Sequence, residues 1–291
     1  MSDFLRLLFS SLETGSVYAL AALGIVLIFR TSKMTNFAQG MIGTINAYIA
    51  ATLLIDFGIN IWFVALIAMV TAFLTGILID TIIIRPASKV NPISKQIITF
   101  GIIMVIVGLL PYISVESLYI PRFIDSEYGI NILGAPLRYN TIFIILLSVA
   151  LMGGMFWFIG YTKWGLATRT TASNETTSKL MGVPTKTVTM VSWAFAAILG
   201  TLAAIFVAPR VSVQPNMLLT VQVSAFFAGT LGGFNTFFGP VIGAFIISFA
   251  RNFTGFYISD IWGNVIVYTL ILVFLYFKPY GIFGKKPTTK V

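Results

Sequence analysis

Asn174, Glu175, Lys179 and Gly182 form the densest polar pattern in the chain, within TRTTASNETTSKLMGVPTK (168–186). Ser173 or Asn174 has the side chain to accept a hydrogen bond from the free N–H groups of a first helical turn. Glu175 would meet the positive end of the helix dipole, and Lys179 lies four residues on, on the same face. Gly182 suits the left-handed position past a helix end, with Pro184 to stop the chain. The spacing predicts about two turns of helix from Asn174 to Met181. With Leu180, Met181 and Val183 at one end, its chemistry is that of a knob fitting a groove on another protein. A surface-lying membrane helix would need a continuous apolar stripe and a basic face, and the segment has few of either.

A second group could present polar atoms to a solute. Asn36 and Gln39 flank Phe37 where the first apolar run ends, and Gly40 follows. A broken helix there would offer backbone groups as well as amides; a helix cap at the membrane surface is the other reading, and both stand open. Glu13 sits inside an apolar run, roughly 12 Å along a helix counted from Leu5 at about 1.5 Å per residue, where a carboxylate is costly and by default functional. If the helix instead begins near Ser10, Glu13 is a first-turn acid in the outer headgroup region, and that reading is preferred here. Ser16, three residues on, is grouped with Glu13, Asn36 and Gln39 as a pathway residue. Asp80 and Arg85 lie near a helix end, where pairing or snorkelling suffices. Gly232, Gly233, Gly239, Pro240 and Gly243 are assigned to helix packing and gating, with G-x-x-x-G spacing from Gly239 to Gly243.

Catalysis finds little to work with. The chain has no cysteine and no histidine, so thiol, disulfide and imidazole chemistry are absent, and no metal site or catalytic residue is expected. No G-x-x-x-x-G-K-[ST] phosphate loop occurs; GIFGKKP near the end lacks the spacing.

The elements that must hold these groups are set by composition. Hydrophobic residues make up 58% and charged residues 9%, against about 25% charged in a soluble domain. Such a surface is stable in a bilayer, not in water. Nine apolar runs are expected as spans or part-spans: Leu5–Phe29, Met41–Ile55, Ile61–Ile84, Ile97–Ile113, Thr141–Gly160, Thr187–Ala208, Val221–Gly232, Val241–Phe253 and Ile261–Phe277. The seventh and eighth are too short to cross alone, and the Gly-rich segment between them suggests broken or re-entrant helices. The fold class is thus all-α and polytopic, with about 8–9 transmembrane helices in one membrane domain over residues 1–291. The N-terminal run is read as a retained helix rather than a signal peptide, because it continues to Phe29.

The net charge of +9 does not point to nucleic acid, since the basic residues edge the apolar runs. Arg30 and Lys33, then Arg85, Lys89 and Lys95, then Lys163, Arg169, Lys179 and Lys186, then Lys278, Lys285, Lys286 and Lys290 fall on alternate connections. Those connections are expected to be cytoplasmic. The loop from Ser114 to Arg138 sets Arg122 and Arg138 against Glu116, Asp125 and Glu127 and is expected outside, so the N-terminus is outside and the C-terminus inside.

RTTASNETTSKLMGV resembles the cytoplasmic coupling loop of permeases from ABC importers, specifically the branched-chain amino acid permease family. Arg169, Asn174, Ser178, Gly182 and Val183 fall on its pattern; Ser178 and Thr170 stand where the family usually has Ala. GSVYALAALGIVLIF (15–29), NFAQG (36–40), DTIIIRP (80–86), ITFG (98–101) and AFFAGTLGGFNTFFGPVIGA (225–244) resemble further family motifs in the same order. The likeness spans nearly the whole chain, and Glu13 departs from it, the family having an apolar residue there.

The resemblance implies a type II-like ABC importer permease of the bacterial cytoplasmic (inner) membrane, not an enzyme. Its segment 161–186 would be the coupling loop, with Arg169, Asn174, Glu175, Ser178, Lys179, Leu180 and Gly182 facing the ATPase. ATP and Mg would be bound by two separate ATP-binding cassette subunits, with no cofactor in this chain. A second permease chain, an extracytoplasmic solute-binding protein and membrane lipid complete the implied partners. The implied cargo is a branched-chain or related amino acid. A stand-alone secondary transporter or channel is the alternative; it would need a charge array across the bilayer, which is not evident. Glu13→Gln is expected to leave uptake little changed.

Overall fold

The computed structural model describes residues 2–124 and 129–284, so Asp125, Glu127, Lys285, Lys286 and Lys290 lie outside the described residues. An apolar chain in lipid must satisfy its backbone internally, and it does so as helices. In order they are α1 (Ser2–Ser32), α2 (Gln39–Asp56), α3 (Ile61–Leu78), α4 (Pro92–Ile113), α5 (Tyr139–Tyr161), α6 (Lys163–Ser173), α7 (Glu175–Leu180), α8 (Thr185–Val211), α9 (Leu219–Gly232), α10 (Gly239–Tyr257) and α11 (Asp260–Phe277).

Six of the described helices are long and apolar enough to cross a bilayer: α1, α3 with its continuation to Ile84, α4, α5, α8 and α11. Nine runs were expected as spans or part-spans. Among the others, α9 is a 14-residue apolar helix, about 21 Å long and so short of the hydrocarbon thickness. The expected short run Val241–Phe253 is instead part of a 19-residue helix, α10, which carries Arg251 and Asn252 in its second half.

Burial sorts the helices into centre and perimeter. In their most apolar stretches α1 is 83% and α8 72% buried, whereas α3, α4, α5 and α11 are between 17% and 28% buried. An apolar helix buried all round belongs to the core, and one with a mainly exposed apolar surface faces lipid. The centre is therefore α1 against α8, α9 and α10, with α2 and α3 closing on α8. Small residues permit this: Ala194, Ala196, Ala197, Ala203 and Ala204 are buried along α8, and backbones approach where side chains are small.

Three features depart from the expectations. Residues 129–138 form an antiparallel hairpin, β1 (Gly129–Ile132) and β2 (Ala135–Arg138), whose two turn residues Leu133 and Gly134 have φ of 49° and 83°. Positive φ at both positions is the type I′ turn that matches strand twist. The segment 161–186 holds two helices, α6 and α7, rather than one. Helix α1 begins at Ser2, not near Ser10, which removes the ground for placing Glu13 in a first turn.

The end of α3 is locally widened. Ile79–Ile84 is π-helical, with the Arg85 N–H donating to the Asp80 carbonyl at 2.7 Å. That widening lets Arg85 Nη2 fold back on the buried Asp80 carboxylate at 3.3 Å, so these two residues pair as one of their expected roles.

Candidate functional site

Three polar constellations interrupt the apolar bundle, and two of them are joined. The first is the 161–186 segment. The Thr162 side chain caps α6 by accepting from the Gly165 N–H at 3.0 Å. Asn174 ends α6 in an extended conformation and caps α7, its Oδ1 accepting from the Thr177 N–H at 3.0 Å. The C-terminal end of α7 is closed by Val183 N–H to the Ser178 carbonyl at 3.0 Å and Gly182 N–H to the Lys179 carbonyl at 3.1 Å. Gly182 has φ of 79°, the left-handed conformation such a Schellman closure requires. One turn and a half of helix is thus held rigidly at both ends.

Its side chains divide by face. Glu175 and Lys179 pair at 2.6 Å and are each about half exposed, an exposed helical pair of about 0.3–0.5 kcal/mol. Leu180 and Met181 are 84% and 73% exposed, an apolar tip that the rest of the chain leaves uncovered. Ser178 is buried and its hydroxyl donates to the Asn174 carbonyl, so it anchors the helix rather than facing outward. Arg169 Nη2 donates to the Gly160 carbonyl at 3.2 Å near the C-terminal end of α5, where a cation is favoured.

The second constellation is the turn from α1 into α2. Asn36 Oδ1 accepts from the Ala38 N–H at 2.9 Å and its amide donates to Gln39 Oε1 at 3.2 Å. Gln39 Nε2 donates to the Ala196 carbonyl of α8 at 2.5 Å. Room for that amide exists because Gly24 and Gly200 face it: a Cβ at either would lie 2.7 Å from Gln39 Nε2. Thr99 Oγ1 of α4 accepts from the Phe37 N–H at 3.2 Å, and Gln222 Nε2 of α9 reaches the Asn36 carbonyl at 3.5 Å. Asn36 and Gln39 are 0% and 1% exposed, so the turn is enclosed by protein rather than lying at the surface.

Beside it a cavity of about 250 Å³ opens between α2, α4 and α9, with Phe37, Gly40, Thr44, Met104, Asn216 and Gln222 in its wall. The Thr44 hydroxyl is buried without a protein partner among the described residues. Buried polar groups are ordinarily satisfied, so this unpartnered hydroxyl is a local exception in the packing next to the cavity.

These two constellations are tied together. Lys33 Nζ donates to the Ala172 carbonyl in α6, joining the segment before the Asn36 turn to the segment before α7. Burial first, then the neighbouring Arg30, pull the Lys33 ammonium below its usual range. At the same end of the bundle Arg85 Nη2 reaches the Lys186 carbonyl, Arg30 lies 4.2 Å over the Phe237 ring, and the Ile282 N–H caps the Leu231 carbonyl of α9.

The third constellation lies at the opposite end. Glu13 is buried, ion-paired with Arg210 of α8, and its Oε2 accepts from Thr141 Oγ1 of α5 at 2.7 Å. Ser16, grouped with Glu13 above, donates instead to the Leu12 carbonyl of its own helix at 2.8 Å and is fully buried. The glycines assigned to packing do lie where backbones meet: a Cβ on Gly232 would strike the Gly239 carbonyl, one on Gly239 the Gly232 carbonyl, and one on Gly243 the Ala228 carbonyl. Gly233 has φ of 97°, and Pro240 is buried in the first turn of α10.

Sequence reasoning passed over Lys33 as a link, Gln222, Gly24, Gly200 and Arg210, and noted Thr99 only as part of the ITFG motif. For Gln222 the signal was present, a lone amide inside a run otherwise apolar; Arg210 lies just past the end of the run Thr187–Ala208, among Pro209, Ser212 and Gln214, where a basic residue draws no notice. Nothing local marked the glycines that admit Gln39.

Residues 7–275 match the family described as branched-chain amino acid transport system / permease component, and the chain belongs to that family. It is 27% identical to the high-affinity branched-chain amino acid transport system permease protein BraD of Pseudomonas aeruginosa, over 99% of this chain and 98% of that one. It is 25% identical to the LivH permease protein of the corresponding Escherichia coli system, with the same coverage. The fructose import permease protein FruG of Bifidobacterium longum is 26% identical over 72% of this chain and 63% of its own. No solved structure matches the chain.

Proposed function

We propose that this chain is a transmembrane permease subunit of an ATP-driven importer for branched-chain or related apolar amino acids. The observation that carries the reading is the apolar tip of α7, Leu180 and Met181, exposed on a helix capped at both ends and tied through α6 and Lys33 to the buried polar break. An exposed apolar knob on a rigid mount is a docking element. Full-length likeness to permeases named for branched-chain amino acids supports the cargo class.

In this reading residues 1–291 act as one membrane domain and 161–186 are the coupling loop. Asn174 and Gly182 hold α7, and Glu175, Lys179 and Leu180 meet the groove of a separate ATPase. Ser178 braces α7 on its own cap residue, and Arg169 ties α6 to the end of α5. Asn36, Gln39 and the cavity wall at Thr44 and Gln222 form part of the pathway. Gly232, Gly233, Gly239, Pro240 and Gly243 let α9 and α10 shift as a closely packed pair. The assembly comprises a second permease chain, two ATP-binding cassette subunits that hold ATP and Mg, and a solute-binding protein on the outer face. The chain sits in the bacterial inner membrane with its N-terminus outside and its C-terminus in the cytoplasm.

The test is purification in mild detergent with identification of the co-purifying subunits and an ATPase assay on the eluate. Phosphate-loop subunits whose hydrolysis is stimulated by a binding protein loaded with L-leucine are expected. A lone chain that moves solute in liposomes without ATP would overturn the reading.

A further inference from the structure

The ion pair of Glu13 and Arg210 borders a cavity of about 270 Å³ at the end of the bundle opposite α7. Its wall combines that pair and the hydroxyl residues Thr14 and Thr220 with apolar side chains, among them Phe206 and Met217. The two partners are not equally placed. The Glu13 side chain is 7% exposed and both its oxygens are engaged, by Arg210 and by Thr141. The Arg210 side chain is 41% exposed, and among the described residues its guanidinium has no acceptor besides Glu13.

A guanidinium carries five N–H donors in a planar fork suited to a carboxylate. One engaged edge leaves donors free to face the cavity. Arg210 also lies in the last turn of α8, where the helix carbonyls favour a cation. That placement accounts for a cation but not for a buried acid brought from α1, itself steadied by α5, to fix how the guanidinium points. A fixed donor fork beside apolar walls is the recognition chemistry of a small solute with a carboxylate at one end and an aliphatic group at the other.

We propose that Arg210 is the carboxylate receptor of an outer solute site, with Glu13 and Thr141 as positioning residues that aim its guanidinium into the cavity. This rests on the reading of the chain as an amino acid permease, and it assigns the first contact to the end of the bundle far from the coupling helix.

The test uses the whole assembly in membranes and two measurements. In the first, Arg210 is modified with an arginine-selective dicarbonyl and its labelling is followed by mass spectrometry, with excess L-leucine or excess L-leucinamide present. Leucine is expected to slow labelling at Arg210, and leucinamide, which lacks the carboxylate, is not. Equal protection by both, or by neither, would overturn the proposal.

In the second, uptake of L-leucine is measured for Arg210→Met, Arg210→Lys and the double change Glu13→Met with Arg210→Met. A pair that merely staples α1 to α8 can be replaced by apolar residues at little cost, so recovery of uptake in the double variant would overturn the proposal. Uptake is expected to stay low in Arg210→Met and in the double variant, by on the order of tenfold for a lost charged contact, with Arg210→Lys between. If the wild-type assembly takes up no leucine, the cargo assignment fails; both measurements are then made with the amino acid it does take up and the amide of that acid, and equal protection by the two, or by neither, overturns the role of Arg210.

Discussion

Lys33 and Ala172, 139 residues apart, meet at one end of the bundle, the lysine ammonium donating to the helix carbonyl. Lys33 has φ of 51°, and three residues later the chain enters the Asn36 turn; Ala172 lies two residues before the cap of α7. A displacement of α7 by a docked subunit thus has a short covalent and hydrogen-bonded route to the polar break.

Lys33→Met is predicted to reduce ATP-coupled uptake while the assembly remains intact. The folded environment depresses the Lys33 pKa, so near neutral pH the protonated group costs stability, and that cost falls as pH rises toward the ordinary lysine value. Thermal stability in detergent is therefore expected to hold or rise slightly in the variant while uptake falls. A parallel loss of both would make Lys33 a structural staple only.

Gly182→Pro should uncouple hydrolysis from uptake. Proline removes the N–H bonded to the Lys179 carbonyl and fixes φ near −65°, where the chain has 79°. The cap of α7 opens and Leu180 loses its mount. The ratio of ATP hydrolysed to solute moved is expected to rise severalfold, with membrane insertion unchanged. Glu175→Lys, which sets two like charges one turn apart, should act in the same direction more weakly.

Gln39→Leu is predicted to cost about 1–3 kcal/mol, because the Ala196 carbonyl and the Asn36 amide lose a buried partner. Both chemical stability in urea-supplemented detergent and uptake should fall. Gly200→Ala tests the same contact from the other side, since its Cβ would crowd the Gln39 amide.

Glu13→Ala is predicted to destabilise the chain by about 1–3 kcal/mol, discounted for the partial exposure of Arg210. The apolar helix around Glu13 suggests either a pathway acid or a first-turn acid. The start of α1 at Ser2 overturns the premise of the second. A melting temperature equal to wild type would show that the pair contributes nothing to folding.

How much of this was legible depended on whether the signal is local. The cap at Asn174 and the left-handed Gly182 follow from residue types a few positions apart, and the structure places both as the spacing required. Apolar run lengths gave most helix positions, because the bilayer sets a length that sequence can be measured against. The contacts of Gln39 with Ala196, of Lys33 with Ala172 and of Glu13 with Arg210 join residues more than a hundred positions apart, and single-chain periodicity carries no such pairing. Ser178 was misplaced for a related reason. On so short a helix, the face turned to protein depends on α6, whose presence the polar composition of 163–173 did not announce.

The most direct test of the coupling claim uses the absence of cysteine from the chain. A single Leu180→Cys variant, treated in native membranes with a short thiol-to-amine cross-linker, is predicted to attach to a phosphate-loop ATPase subunit. Ile261→Cys, equally exposed but at the start of α11, should not. Cross-linking to the ATPase at Ile261 and none at Leu180 would contradict the account.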